Sequence, residues 1–415
     1  MAEERSTIEG KFNWRERYPA LTYHNFRLWF AGQTASLMGT WMQATAQGFL
    51  IFQLTHSPVY LGYVAFAAGA PTWLFTLYGG VIADRVPRRT MMLITQTSMM
   101  ILAFILAALT ATNVVQPWMI IVLAFLLGVA NAFDAPARQS FTLEMVERRD
   151  LTNAIALNAT MFNTGTAVGP AVAGFVYALA GPAWCFFLNG ISFLAIIAAL
   201  LLMKLKPFVR PERRSSTISD MKEGFGFVIR QPTVRTLMAI IAITTLFGLS
   251  FATLMPAWSV TVLGGDATTN GLLQSARGAG ALVSSFGLAS LGRFRFKGRL
   301  LTAGTFALPI MLLIFSQVRL LPVALVTLFC IGLAMMPIMN LSNALVQTLV
   351  PDNIRGRVMG IYTLIFFGMM PIGGLWAGTL AEHTSEPFVV VLGGVIVLAT
   401  ALVVYIFFPQ IRKLE

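Results

Sequence analysis

Gly80-Val81-Ile82-Ala83-Asp84-Arg85-Val86-Pro87-Arg88-Arg89 joins two long apolar runs of the chain. A Gly, an Asp four places on and a closing pair of Arg make an unusual set between two greasy segments. A connection this short has no room for a site of its own. It serves the two helices it joins and whatever those helices dock against. Gly80 permits close approach of a neighbouring helix. Asp84 suits the exposed N–H groups at a facing helix N-terminus.

Working outward, the apolar runs continue through the whole sequence. Of its 415 residues, 57% are hydrophobic and 11% charged, with a mean hydropathy of +0.74. A soluble domain carries roughly 25% charged residues, so a polytopic membrane protein is the class that fits. A span needs about 20 apolar residues, and the satisfied backbone it requires in lipid makes it helical unless a barrel closes. Barrel strands would alternate over about ten residues, whereas these runs are continuous. Twelve spans are expected, at 26–53, 59–82, 90–112, 117–138, 153–178, 183–203, 235–263, 270–292, 300–317, 320–346, 357–381 and 387–409.

The net charge of +12 would suit a nucleic-acid binder, but its distribution does not. Every Lys and Arg except Arg277 and Arg319 lies near the chain ends or near loops that follow even-numbered spans. That is the positive-inside pattern of cytoplasmic loops, and no nucleic-acid partner is expected. The expectation is a multi-pass protein of a bacterial inner membrane with both termini cytoplasmic. The first 25 residues lack an apolar core and are not read as a cleaved signal. Cys185 and Cys330 fall inside spans, and His24, His56 and His383 are scattered near span ends. No metal, cofactor or disulfide framework is expected.

The connections 54–58, 113–116 and 179–182 are very short, so neighbouring spans form antiparallel hairpins. The one long break, Lys204 to Gln231, is basic at first and then reads as an amphipathic surface helix. It divides the chain into 1–203, a six-helix bundle; 204–234, a linker; and 235–415, a second six-helix bundle. A shift that places Leu151 on Arg355 also places Phe162 on Phe366, Gly169 on Gly373, Ala173 on Ala377 and Gly174 on Gly378. Such parallel repeats are a transporter architecture.

The Gly80–Arg89 segment resembles the cytoplasmic signature of the major facilitator superfamily, with Pro87 where Gly is commoner. Asn131-Ala132-Phe133-Asp134-Ala135-Pro136-Ala137-Arg138-Gln139, Asp150-Leu151-Thr152-Asn153 and Arg355-Gly356-Arg357-Val358-Met359 narrow the likeness. They resemble the branch holding enterobactin-exporter-like and transmembrane secretion effector proteins. The resemblance implies an all-α membrane fold of two pseudo-symmetric six-helix bundles. It also implies a charged latch in which Arg88 sits between Asp84 and Asp134, with Arg85, Arg89 and Arg138 around it and span 11 near Gly356 to Met359 as its dock. The plainer reading makes these residues topology charges around a turn.

Four further features bear on transport. Gly165, Gly169, Pro170 and Gly174 in span 5 are spaced for backbone-to-backbone packing on span 1 or span 8; the stretch is also similar to a motif that this superfamily associates with exporters and antiporters. Gln33, Ser36, Thr40, Gln43 and Gln47 share one face of span 1. Lipid exposure of that face is too costly, so it lines a cavity or bonds to other helices. Trp41, Asn131, Asn340 and Asn343 are further inward candidates. Arg277, about two turns into span 8, is read three ways: it binds an anionic substrate or gates, it pairs with Glu382 or Asp266, or it snorkels to the interface.

The expected function is secondary export of a small amphipathic molecule, a drug, metabolite or siderophore-like product, by a monomer. Proton coupling rests on the resemblance alone, since no Asp or Glu lies at mid-span. The rivals are a lipid flippase or an importer on the same fold. A membrane enzyme would need a catalytic set, and none is found.

Overall fold

The computed structural model describes residues 18–83, 86–205, 217–292 and 294–414, with the backbone alone at 76–83 and 217–221. Asp84 and Arg85 therefore lie outside the described residues. Thirteen long helices follow in order: α1 His24–Thr55, α2 Pro58–Ala83, α3 Arg88–Ala111, α4 Pro117–Met145, α5 Leu151–Ala180, α6 Pro182–Leu202, α7 Thr217–Arg230, α8 Pro232–Val262, α9 Ala267–Ser290, α10 Lys297–Gln317, α11 Leu321–Leu349, α12 Asp352–His383 and α13 Glu386–Phe407.

All but α7 coincide with expected spans to within a few residues at most ends. Among the described residues, eight of the helices are long and apolar enough to cross a membrane by length and composition: α3, α4, α6, α8 and α10 to α13. Of the others, α1, α5 and α9 owe their lower hydropathy to their contents. The polar stripe dilutes α1, and Gly, Ala and Thr dilute α5 and α9. Proline in the first turn starts α4, α6, α8 and α13, where its missing N–H costs nothing. His56, at φ 49°, ends α1, and the Asp266 carboxylate caps α9 by accepting from Thr269 N at 2.9 Å.

Helix α8 is not the regular rod its hydropathy suggests. It contains a π turn at Thr244–Gly248, a 3₁₀ turn at Ser250–Leu254 and a second π turn at Trp258–Val262. Leu249 N donates to Thr244 O at 2.9 Å and Leu263 N to Trp258 O at 3.2 Å, each reaching five residues back. Pro256, which lacks an N–H, breaks the ladder between them. An apolar average carries no information about such bulges, which gather at functional places in helices.

Helices α1–α6 pack together, as do α8–α13, and α7 joins the second set. Glu223 of α7 pairs with Arg357 of α12, and Gly224 sits against the Arg357 backbone. Call the end carrying the loops after α2, α4, α9 and α11 the basic face, and the opposite end the far face. The two halves touch along two seams, α2 on α12 and α5 on α9. In the first, Gly62 meets the Gly374 and Leu375 backbone, Gly69 meets Pro371, and Trp73 covers Gly368. In the second, Gly174 meets Ala267 and Thr268, Gly271 meets Pro170, and Gly278 meets Thr166.

These contacts run from the far ends of the four helices to mid-helix. An apolar cluster on the far side takes side chains from both halves, with Met42, Phe49 and Leu61 beside Ala257 and Ala267. Toward the basic face the clusters belong to one half each. Ile155 and Phe162 of α5 are exposed there. A Cβ built on Gly356 or Gly360 of α12 meets nothing within 4 Å. Among the described residues, the two halves are closed on one another at the far face and parted toward the basic face.

The residues related by the sequence shift make related contacts. Gly169 packs on Trp41 of α1, while Gly373 packs on Leu246 of α8. Gly174 packs on the first turn of α9, while Gly378 packs on Pro58 and Gly62 at the start of α2.

Candidate transport pathway

The polar face of α1 is buried, with Gln33, Ser36, Gln43 and Gln47 each less than 7% exposed. Gln43 Oε1 accepts from Asn189 Nδ2 of α6 at 2.7 Å, and Ser192 Oγ donates to Asn189 Oδ1 at 3.1 Å. Gly39 brings α1 onto these two side chains. Gln43 is thus tied into the first half. Thr40 Oγ1 donates to its own helix at Ser36 O. Trp41 meets Phe162 edge to face at 5.6 Å and lies over Gly165. An interhelical bond in a membrane protein is worth about 0.6 kcal/mol on average, and orphaning a buried partner costs about 1–3 kcal/mol. Asn189→Ala should therefore lower stability to unfolding in detergent by about 1–2 kcal/mol. A variant as stable as wild type would deny the tie.

Asn131 Nδ2 donates to Leu127 O within α4, and Asn343 Oδ1 accepts from Gln347 Nε2 at 2.6 Å within α11. Asn340 is exposed. Of the small-residue motif, Gly165 and Gly169 face α1 while Pro170 and Gly174 face α9. The motif serves both a seam inside the first half and a seam between halves.

On the basic face the charges are arranged differently from the expected latch. Arg88 Nη1 donates to Glu144 Oε1 at 2.6 Å, not to Asp134. Asp134 is 1% exposed and accepts from Thr95 Oγ1 at 2.8 Å and Gln96 Nε2 at 3.0 Å, with Arg138 Nε at 3.7 Å. The reason is depth. Thr95 lies seven residues beyond Arg88, about 10 Å along the α3 axis, so Asp134 opposes a deeper part of α3. Glu144, nearer the end of α4, is level with Arg88. Arg89 Nη2 donates to Leu201 O of α6. Gly80 lies on α2, at a position where only the backbone is described. Tyr23 Oη donates to Asp150 Oδ2 at 2.7 Å; this bond, and burial after it, hold the phenol above its ordinary pKa.

Arg277 stands in the middle of α9. Leu272, Val283 and Phe286 are exposed on one side of that helix, and a 100° step per residue puts Arg277 on the other, with Asn270 and Gln274. Gly278 on one flank touches α5, and on the other Gly332 of α11 lies against the Arg277 carbonyl. The side chain thus belongs to the interior. Neither expected carboxylate reaches it: Asp266 caps α9, and Glu382 Oε2 accepts from Ser57 Oγ at 2.6 Å and Val59 N at 3.4 Å. Sequence reading did not single out that bridge between the halves at the far face. It also passed over Asn189, although a lone Asn in an apolar span is a visible signal, and Glu144.

The chain matches the family model described as transmembrane secretion effector over residues 17–415. It is 26% identical to the multidrug efflux pump Tap of Mycolicibacterium fortuitum, covering 93% of this chain and 96% of that protein. It is 23% identical to the staphyloferrin A transporter of Staphylococcus aureus, covering 86% and 89%. A crystal structure of a POT family transporter in complex with 5-aminolevulinic acid superposes with a TM-score of 0.71 at 12% identity, covering 94% and 97%. On twelve long helices in two packed sets and a family match along nearly its whole length, the chain belongs to the transmembrane secretion effector family of the major facilitator superfamily.

Proposed function

We propose that the protein exports small amphipathic molecules across a bacterial inner membrane, as a monomer with its basic face and both termini cytoplasmic. The observation that carries this reading is the one-sided contact between halves. Seams that stop at mid-helix leave a cleft open to one face only, and a rocking of one half on the other transfers that opening. The described state then receives substrate from the cytoplasm. Export rather than import is favoured by similarity to an efflux pump.

In the opposite state the Gly80–Arg89 segment closes on the first turn of α12. Asp84 accepts from the N–H end of α12, beside Gly356, around whose Cα the described state leaves open space. Arg85, Arg88, Arg89 and Arg138, with Asp134, complete the latch. A latch worth about 1.4 kcal/mol shifts the two-state ratio tenfold, so modest charge pairs suffice. Protons are the proposed coupling ion. Thr40, Trp41, Gln43, Gln47, Asn131, Asn340 and Asn343 are proposed to border the path.

Proteoliposomes with an imposed pH gradient test this. Wild type should move at least one amphipathic compound against its gradient only while the pH difference lasts. Asp84→Asn should slow that movement about tenfold in a folded protein. Movement indifferent to the pH difference would remove proton coupling, and an unimpaired Asp84→Asn would remove the latch.

A further inference from the structure

We propose that Arg277 is the receptor for an anionic oxygen group on the transported molecule, so that the preferred substrates carry a carboxylate or similar oxyanion. The inference rests on the export reading above and narrows its substrate class. Among the described residues no carboxylate lies within 4 Å of Arg277, and its buried Nε–H has no acceptor. Asn270, two turns away on the same interior face, is fully buried and its Nδ2 also lacks an acceptor. Its oxygen is already used, accepting from Gln274 Nε2 at 3.1 Å. Two buried N–H donors of this stripe, Asn270 Nδ2 and the charged Arg277 Nε, thus lack acceptors, and an anion supplies what the charged one is missing.

The other fates of the charge are closed by position. Asp266 lies eleven residues back along α9, about 16 Å, and both it and Glu382 are engaged elsewhere. Arg277 is ten residues from the N-terminal end of α9 and thirteen from the other, at least about 15 Å along the axis. Snorkelling to an interface would need a longer side chain. An uncompensated charge at this depth is costly. A bound oxyanion supplies the missing charge, and the planar guanidinium can hold it through two parallel bonds. Cationic and neutral amphipaths gain nothing from it.

Rhodamine B, which bears a free carboxylate, and its methyl ester serve as paired probes on purified full-length protein. Equilibrium binding by fluorescence polarisation should favour the carboxylate at least tenfold in wild type. Arg277→Gln should erase that preference and Arg277→Lys should keep part of it. Arg277→Gln should also raise the melting temperature of the ligand-free protein, because it removes an unpaired charge. Equal binding of the two probes by wild type, or a preference that survives Arg277→Gln, overturns the proposal. So does a lower melting temperature, which would mean that the guanidinium is satisfied within the fold. Binding is read without a gradient, so a carboxylate preference with no movement in proteoliposomes would sink the export reading and leave this assignment standing.

Discussion

Gly378→Val and Gly174→Val should each cut transport by at least about fivefold in a protein that still folds. A Cβ on Gly378 would stand 2.7 Å from the Pro58 carbonyl oxygen and 2.9 Å from Gly62 N. One on Gly174 would stand 2.8 Å from the Ala267 carbonyl oxygen. Both obstacles are backbone, which cannot rotate aside as a side chain would. Overpacking of this kind costs about 1–3 kcal/mol. Here the cost falls on the closed far face alone, since each half keeps its own core. It converts to a shift of about five- to 150-fold away from the described state. The two variants should therefore expose far-face cysteine probes to water-soluble reagents more than wild type does. Transport at the wild-type rate in both would show that the seams need not close.

Gly280→Val should instead prevent folding. Gly280 stands two residues from Gly278 on α9, but it faces the other way, into the Phe329 carbonyl of α11. That contact lies within the second half and must survive in every state of the cycle. Gly332 meets α9 from the opposite side of the same joint, against the Arg277 carbonyl. A branched side chain must push α9 and α11 apart and open the apolar core of the second half, at a cost of about 3 kcal/mol or more by the upper end of overpacking data. Little folded Gly280→Val should be recovered from membranes by size-exclusion chromatography. Recovery equal to that of Gly278→Val would erase the distinction between a joint inside a half and a seam between halves.

Much of this architecture is written in the chain, and the reason is the solvent. Lipid makes each span long, apolar and helical, so hydropathy finds the helices and basic residues order the loops. The repeat was visible too, through Gly169, Gly174, Gly373 and Gly378, because contacts between backbones admit few residue types. What hydropathy cannot carry is direction around a helix axis at one depth. Gln43 reads as a cavity residue until Asn189 is seen opposite. Arg88 and Asp134 read as partners until their difference in depth along α3 is known. The π turns of α8 leave no periodic trace, because a bulge adds one residue to a turn without altering average hydropathy. The bridge from Ser57 to Glu382 joins residues far apart in the chain, and the sequence offers Glu382 to Arg277 until the assembled halves bring Ser57 to it.

Rocking of one half on the other is tested most directly by paired spin-label distances on both faces of the same reconstituted protein. One pair would join Leu54 of α1 to His383 of α12 at the far face, and another Thr152 of α5 to Leu291 beyond α9 at the basic face; all four positions are exposed. Without gradient or substrate the far pair should be close and the basic pair apart. Imposing the gradient with a transported compound should lengthen the first distance and shorten the second in the same fraction of molecules. Distances that stay fixed while transport proceeds, or that lengthen together, would contradict the account.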